Sequence, residues 1–238
     1  MKKLIFTIGL TLMLCMTGCG SAKQNITVEQ PTENSVKKAA AAETADAEKP
    51  QTDETAQNAD AKTNTAANDT IVAYFSREGE QYNVGVIEKG NTAIIADIIA
   101  EEKNADMFRL YPKVDNYPTT YSELTDYAKK EQADNARPEL LGEIENWDDY
   151  TTVYLGYPIW WGDMPMIVYS FIESYDMSGK TIIPFCTHEG SGISGTDSRL
   201  ISLLPNSTVL DGFEMQGKTA QTNDDNVKET VKTWLADK

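Results

Sequence analysis

Three short segments of this chain carry residues whose types and spacing could do chemistry. The first, residues 76–92, begins at Ser76 and closes with Gly90, Asn91 and Thr92 at an apparent helix start. Backbone N–H groups, the helix dipole and the Ser76 and Thr92 hydroxyls would suit a phosphate there. An Asn-Thr pair before a helix also serves as a plain cap, and the residues alone leave both uses open. The second segment, Gly-Tyr-Pro-Ile-Trp-Trp-Gly-Asp-Met-Pro at 156–165, places Trp160 and Trp161 in one Gly/Pro-bounded loop. Two adjacent indoles there cannot both face the core, and an exposed indole is a surface on which a planar ring can stack. The third, residues 187–195, holds Thr187, His188, Gly190, Ser191, Gly192 and Gly195, where glycines permit close approach of backbone to a ligand.

Several chemistries are excluded by the same residues. Within residues 76–92 no Gly-Lys-Ser/Thr follows the glycine-rich turn and no Gly-x-Gly-x-x-Gly turn is present, so that segment is neither a triphosphate nor a dinucleotide loop of those kinds. His188 is the sole histidine, which makes a poor metal site, and no nucleophile elbow surrounds a serine. It reads as a polar neighbour of a ligand ring or as a loop residue.

The elements that must hold these loops are legible from periodicity. Residues 70–75 form a β-branched and aromatic run that stops at Ser76, the pattern of a buried strand. Ala93, Ile94, Ile95, Ile98 and Ile99 make a helical stripe. Residues 106–110, 151–156, 180–185 and 208–215 give four further strands. Residues 121–131, 164–175, 198–204 and 225–235 give helices, with Pro165 expected in the first turn of its helix. Alternating strand and helix implies an α/β fold, an open and mostly parallel sheet with helices on both faces. Ligands bind such sheets beyond the carboxyl ends of the strands, which is where the three loops fall.

Composition divides the chain unevenly. Of 238 residues, 37 are acidic and 21 basic, a formal charge of −16 that argues against a nucleic-acid partner. Two of the three cysteines lie in the first nineteen residues, which excludes a disulfide scaffold. Lys2 and Lys3 precede an apolar run over 4–16 that is too short to span a bilayer and reads as the core of an export signal. The run ends in Met16-Thr17-Gly18-Cys19, which resembles the lipobox of bacterial lipoproteins. That resemblance implies a signal peptide at 1–18, lipidation of Cys19 and attachment to the bacterial cell membrane by the lipid anchor alone, with the domain on the extracytoplasmic side. Residues 20–69 contain no aromatic residue and only three bulky aliphatics, Ile26, Val28 and Val36, so they form a disordered tether. Residues 70–238 then form one domain, with Cys186 as a small buried thiol.

A phosphate loop after the first strand, Trp161-Gly162-Asp163 after the third and a Gly/Ser loop after the fourth resemble the flavodoxins over residues 70–238. The resemblance implies a doubly wound, flavodoxin-like five-stranded parallel sheet of order 2-1-3-4-5, binding one FMN non-covalently. By position it implies that Ser76, Asn91 and Thr92 hold the phosphate. Pro158, Ile159, Trp160, Trp161 and Gly162 would flank the ring, with one indole stacked on it and the Gly162 carbonyl facing the ring N5. Thr187, His188, Gly190, Ser191 and Gly192 would wrap the pyrimidine edge and the other face. Two departures stand out: residues 77–90 are inserted within the phosphate loop, and the third loop lacks the Tyr that commonly covers the second flavin face.

The function implied is an FMN electron-transfer protein held outside the cytoplasmic membrane, exchanging electrons with a redox partner protein or a small acceptor. One alternative is an NAD(P)H-dependent FMN reductase of quinone or azo type. Another is a non-redox binding lipoprotein that kept the fold. Residues 70–238 carry 28 acidic against 14 basic residues, which suits a basic partner and also serves solubility.

Overall fold

The computed structural model describes residues 68–238. The expected signal peptide, Cys19 and the tether up to residue 67 lie outside the described residues. In chain order the elements are β1 (Thr70–Tyr74), β2 (Gly79–Gln81), β3 (Gly85–Ile87), α1 (Asn91–Lys103), β4 (Asp106–Arg109), α2 (Tyr121–Ala133), a 3-10 turn (Trp147–Asp149), β5 (Thr152–Pro158), α3 (Met166–Ser174), β6 (Thr181–His188), α4 (Thr196–Leu203), β7 (Thr208–Val209), β8 (Phe213–Gln216), α5 (Gly217–Ala220) and α6 (Asp225–Leu235). No helix among the described residues is long and apolar enough to cross a membrane.

The main sheet is parallel throughout, in the order β4-β1-β5-β6 with β7 and β8 both on the far side of β6. This is the expected 2-1-3-4-5 order, with the fifth strand in two pieces. Successive strand side chains point to opposite faces, so each strand feeds two cores. Ile71, Ala73, Phe75, Val153, Leu155 and Tyr157 meet α3 through Ile167, Val168 and Phe171 on one face. Val72, Tyr74, Tyr154, Ile183 and Phe185 meet the isoleucines of α1 and Val227 and Val231 of α6 on the other. Near-continuous apolar strands are what a sheet covered on both faces requires. Gly156 is paired with Phe185 across β5 and β6, and a Cβ there would overlap the Phe185 ring, so only glycine lets that ring lie over β5.

The split in the fifth strand follows from Pro184. The β6 residues Thr181 and Thr187 bond toward β5, while Lys180 and Ile182 accept from Thr208 and Leu210 on the fifth-strand side. Pro184 falls in the second set and has no N–H to give. The ladder breaks opposite it at residues 210–212, where Gly212 packs against the Pro184 ring and carbonyl.

Two sequence expectations are corrected locally. Pro165 is the cap before α3, with extended backbone at ψ 147°, and the helix begins at Met166 rather than 164. Residues 77–90 are not a loose loop: residues 79–87 form an antiparallel hairpin of β2 and β3.

Candidate functional site

Beyond the carboxyl ends of β1, β5 and β6 lies a cavity of about 220 Å3. Asn91 lines it from the start of α1, Pro158, Ile159, Trp160 and Trp161 from the end of β5, and Thr187, His188 and Glu189 from the end of β6. Gln81 and Tyr82 of the hairpin and Tyr121, Leu124, Thr125 and Ala128 of α2 form a second wall.

The β5 side is built around a tight turn. Trp160 and Asp163 exchange two backbone hydrogen bonds of 2.9 and 3.0 Å, with Trp161 at φ 51° and Gly162 at φ 76° between them. Positive φ at both central residues is the primed turn that suits Asn or Gly, and a tryptophan there carries strain that its surroundings must offset. Asp163 supplies much of that support. Its carboxylate accepts from the Met164 N–H at 2.8 Å and from the Tyr169 hydroxyl at 3.0 Å, and pairs with Arg199 of α4 at 3.1 Å. Burial, then the Asp163 charge, pushes the Tyr169 phenol up to about 12, so it stays a donor.

The two indoles have different surroundings. Trp160 is half-buried and meets Phe75 and Tyr117 edge-on, at ring separations of 5.3 and 5.6 Å. Behind it, the Tyr117 hydroxyl donates to Glu131 at 3.0 Å, and burial raises the Glu131 carboxyl above the usual range. Trp161 is 53% exposed. Its indole N–H donates to the Thr125 carbonyl at 2.8 Å, and the Lys129 ammonium sits 4.9 Å over its ring, so α2 fixes its pose.

The other expected residues are placed as follows. Ser76 is buried, and its hydroxyl accepts from the Ala93 N–H at 3.1 Å, which satisfies one orphan donor of α1. A Cβ on Gly90 would overlap that hydroxyl and the Arg77 carbonyl, so the chain turns tightly into the helix. Thr92 and Thr187, both buried, join their hydroxyls at 2.8 Å and tie α1 to β6. Asn91 keeps its side-chain oxygen on Gln221 at 2.8 Å. His188 belongs to the strand rather than to a loop and is buried. Its Nδ1 accepts from the Gly190 N–H at 2.9 Å, which leaves the proton on Nε2 facing Glu214. Of the thirteen sequence-named positions, Asn91, Pro158, Ile159, Trp160, Trp161, Thr187 and His188 share the cavity; Ser76, Thr92, Gly162, Gly190, Ser191 and Gly192 do not line it.

Glu189 and the whole second wall escape a sequence reading. Glu189 accepts from the Lys218 N–H at 3.2 Å, and burial raises its carboxyl. The hairpin is fastened at its base by Arg77, which pairs with Asp115 at 2.7 Å and donates to the Tyr117 carbonyl at 3.1 Å. The Glu80 carboxylate accepts the Tyr121 N–H at 2.9 Å, and Tyr82 stacks on Tyr121 at 5.5 Å. An aromatic residue inside a glycine-bounded insertion was the available signal.

An open parallel sheet of order 2-1-3-4-5, with a cavity lined by aromatic side chains at the ends of its central strands, defines a flavodoxin-like protein. The Flavodoxin family model matches residues 69–237, and this chain belongs to that family. A protein assigned as a flavoprotein from Bacteroides uniformis is 30% identical, over 71% of this chain and 98% of that one, with a TM-score of 0.57. Another from Bacteroides eggerthii is 26% identical, over 70% and 95%, with a TM-score of 0.56. A Lactobacillus acidophilus flavoprotein, solved in complex with FMN, shares the fold at 17% identity over 62% and 93%, with a TM-score of 0.50. No curated protein matches the chain.

Proposed function

We propose that this chain binds one FMN non-covalently in the cavity beyond β1, β5 and β6 and serves as an electron-transfer protein. The observation that carries the reading is the convergence of Asn91, Pro158 to Trp161 and Thr187 to His188 on one cavity in a chain of this family. The residues fit the group. The N–H groups of Asn91 and Thr92 have no acceptor among the described residues and open a 13-residue helix, a place where a phosphate is stabilised. Trp160 and Trp161 offer aromatic surface at the cavity, and Thr187 and His188 line it from the end of β6. When bound, the flavin supplies the redox chemistry.

The protein's residues bind, orient and shield. Asp163 with Arg199 and Tyr169 holds the turn that presents the indoles. The Thr92–Thr187 bond fixes the phosphate end of α1 against the ring end of β6, so both ends of one ligand are held by one rigid frame. The Lactobacillus acidophilus flavoprotein with FMN supports this choice of cofactor. The reading includes export and tethering through a lipidated Cys19.

A visible spectrum of the purified protein, taken after adding FMN and desalting, tests the reading. Retained and vibrationally resolved flavin bands are expected. A colourless protein that leaves FMN fluorescence unquenched would overturn it. Asn91→Asp refines the test, because the carboxylate keeps the Gln221 bond while repelling a phosphate. FMN affinity should fall by about tenfold or more while riboflavin affinity changes little. Equal losses would remove Asn91 from the phosphate site. Cys19→Ser should release the protein from membranes, and unchanged membrane association would refute the anchor.

A further inference from the structure

A second cleft, of about 420 Å3, lies where α2 and the residues after it meet the segment that follows β4. Its apolar lining comes from Pro112, Val114, Ala136, Pro138 and Tyr127. Tyr117 stands between this cleft and the first cavity: its ring meets Tyr127 edge-on at 5.3 Å and Trp160 at 5.6 Å. The flavin reading makes no use of the cleft.

The charges that line it are unevenly matched. Lys113, Lys130 and Arg137 are each committed to an acid: Lys113 to Glu139, Lys130 to Asp134, and Arg137 to Glu173 through two bonds of 2.7 and 2.8 Å. Glu131 also lines the cleft, is only 8% exposed, and has no cation partner among the described residues. Its Oε2 accepts from the Tyr117 hydroxyl at 3.0 Å, and no donor among the described residues reaches Oε1. A glutamine would serve Tyr117 as well, so that bond does not account for a carboxylate. Burial raises the Glu131 carboxyl, the Tyr117 bond opposes the rise, and no neighbouring cation adds to that opposition. A buried carboxylate without a counter-charge is costly, and an ammonium group brought beside it offsets part of that cost.

We propose that this cleft binds a small primary alkylammonium ion, with its charged head on Glu131 and its stem against Tyr127 and the neighbouring prolines. An ammonium head carries three donors and no acceptor, which suits a carboxylate that still has an oxygen to offer. The alkyl stem leaves water for the apolar lining. An anion of the same size meets three bases that are already paired, and it meets the Glu131 charge as well. With Glu173 counted, four acids face three bases there, within a strongly acidic domain that draws cations. The inference is independent of the flavin reading, since it needs neither FMN nor the first cavity.

Proton–nitrogen correlation NMR of the purified protein at neutral pH tests it, with n-butylammonium chloride, sodium n-butyrate and sodium chloride titrated at matched ionic strength. The amine should shift the amides around Lys113, Tyr127 and Glu131 saturably, and bind at least about fivefold more tightly than butyrate. Glu131→Gln keeps an acceptor for Tyr117 and should lower the amine affinity by at least about fivefold, to the level of butyrate. Tyr127→Ala should lower it less. Butyrate binding as tightly as the amine, or sodium chloride reproducing the same shifts, overturns the proposal on the unaltered protein alone. An amine affinity unchanged in Glu131→Gln overturns it too. None of these outcomes touches the flavin reading, which the visible spectrum decides separately.

Discussion

The two walls of the cavity are built in opposite ways. The turn from Trp160 to Asp163 continues β5, an interior strand paired along its length with β1 and β6, and its carboxylate is buried among three partners. The hairpin of β2 and β3 is two three-residue strands paired only with each other, with Tyr82 and Val86 exposed. One wall inherits the rigidity of the sheet; the other is held by a few contacts, Arg77 at its base and Tyr82 on Tyr121 at its tip. A strained conformation such as Trp161 at φ 51° can persist only on the first kind of wall. Variation in what approaches the cavity is more easily carried by the second, where local opening costs little.

The largest break in this contrast should come from Asp163→Ala. It strips the acceptor from Tyr169, Met164 and Arg199 together, so urea unfolding should show a loss of about 2–4 kcal/mol. A loss under about 1 kcal/mol would mean the turn is held by something else. Next in size is Trp160→Ala, which should weaken FMN by about 1–3 kcal/mol in a fluorescence-quenching titration, the scale of a lost aromatic stack. Trp161→Gly separates strain from stacking. Glycine is unstrained at that φ, so stability should hold within about 1 kcal/mol of wild type while FMN binding falls.

The legible part of the molecule is the part that the sheet determines. Long apolar runs such as residues 70–75, and the isoleucine stripe of α1, carry periodicity over enough residues to be read. The Trp-Trp-Gly-Asp turn is legible because two indoles in one Gly/Pro-bounded loop cannot both face the core, and Trp161 is indeed exposed. The hairpin is not, because three residues cannot display a period of two, and its pairing depends on Asn83 and Gly85 at positive φ, away from any apolar run. Leu124 and Ala128 read as ordinary core positions of an amphipathic helix; only packing shows that they also line a cavity. The break in the fifth strand needed register as well as sequence. Pro184 was visible, but its missing N–H matters only because even-numbered β6 residues face that strand.

A smaller effect is expected behind Trp160. Burial raises the Glu131 carboxyl, with the Tyr117 hydroxyl bond opposing the rise. A raised folded-state value means that the contribution to stability is present below the unfolded value and is lost as pH rises through the folded one. Glu131→Gln keeps an acceptor for Tyr117 but cannot ionise. Its stability should match wild type in acid and exceed it once pH passes above the ordinary carboxylate range, as read from urea midpoints at successive pH values. If the two curves run parallel, Glu131 does not ionise at a cost.

The smallest effect should fall on the hairpin tip, and its smallness sharpens the contrast. Val86 is 83% exposed, on a strand paired only to β2. Val86→Ser removes apolar surface that is already in water, so global stability should move by less than about 0.5 kcal/mol. Glu80→Ala instead removes the acceptor of the Tyr121 N–H at the start of α2 and should cost about 0.5–1 kcal/mol. Native-state hydrogen exchange should rank the walls in the same order, with hairpin amides exchanging by local opening and the Trp160 and Asp163 amides only near global unfolding. Comparable protection in both walls would show that the hairpin is part of the cooperative core, because a wall that opens independently cannot share the protection of the sheet.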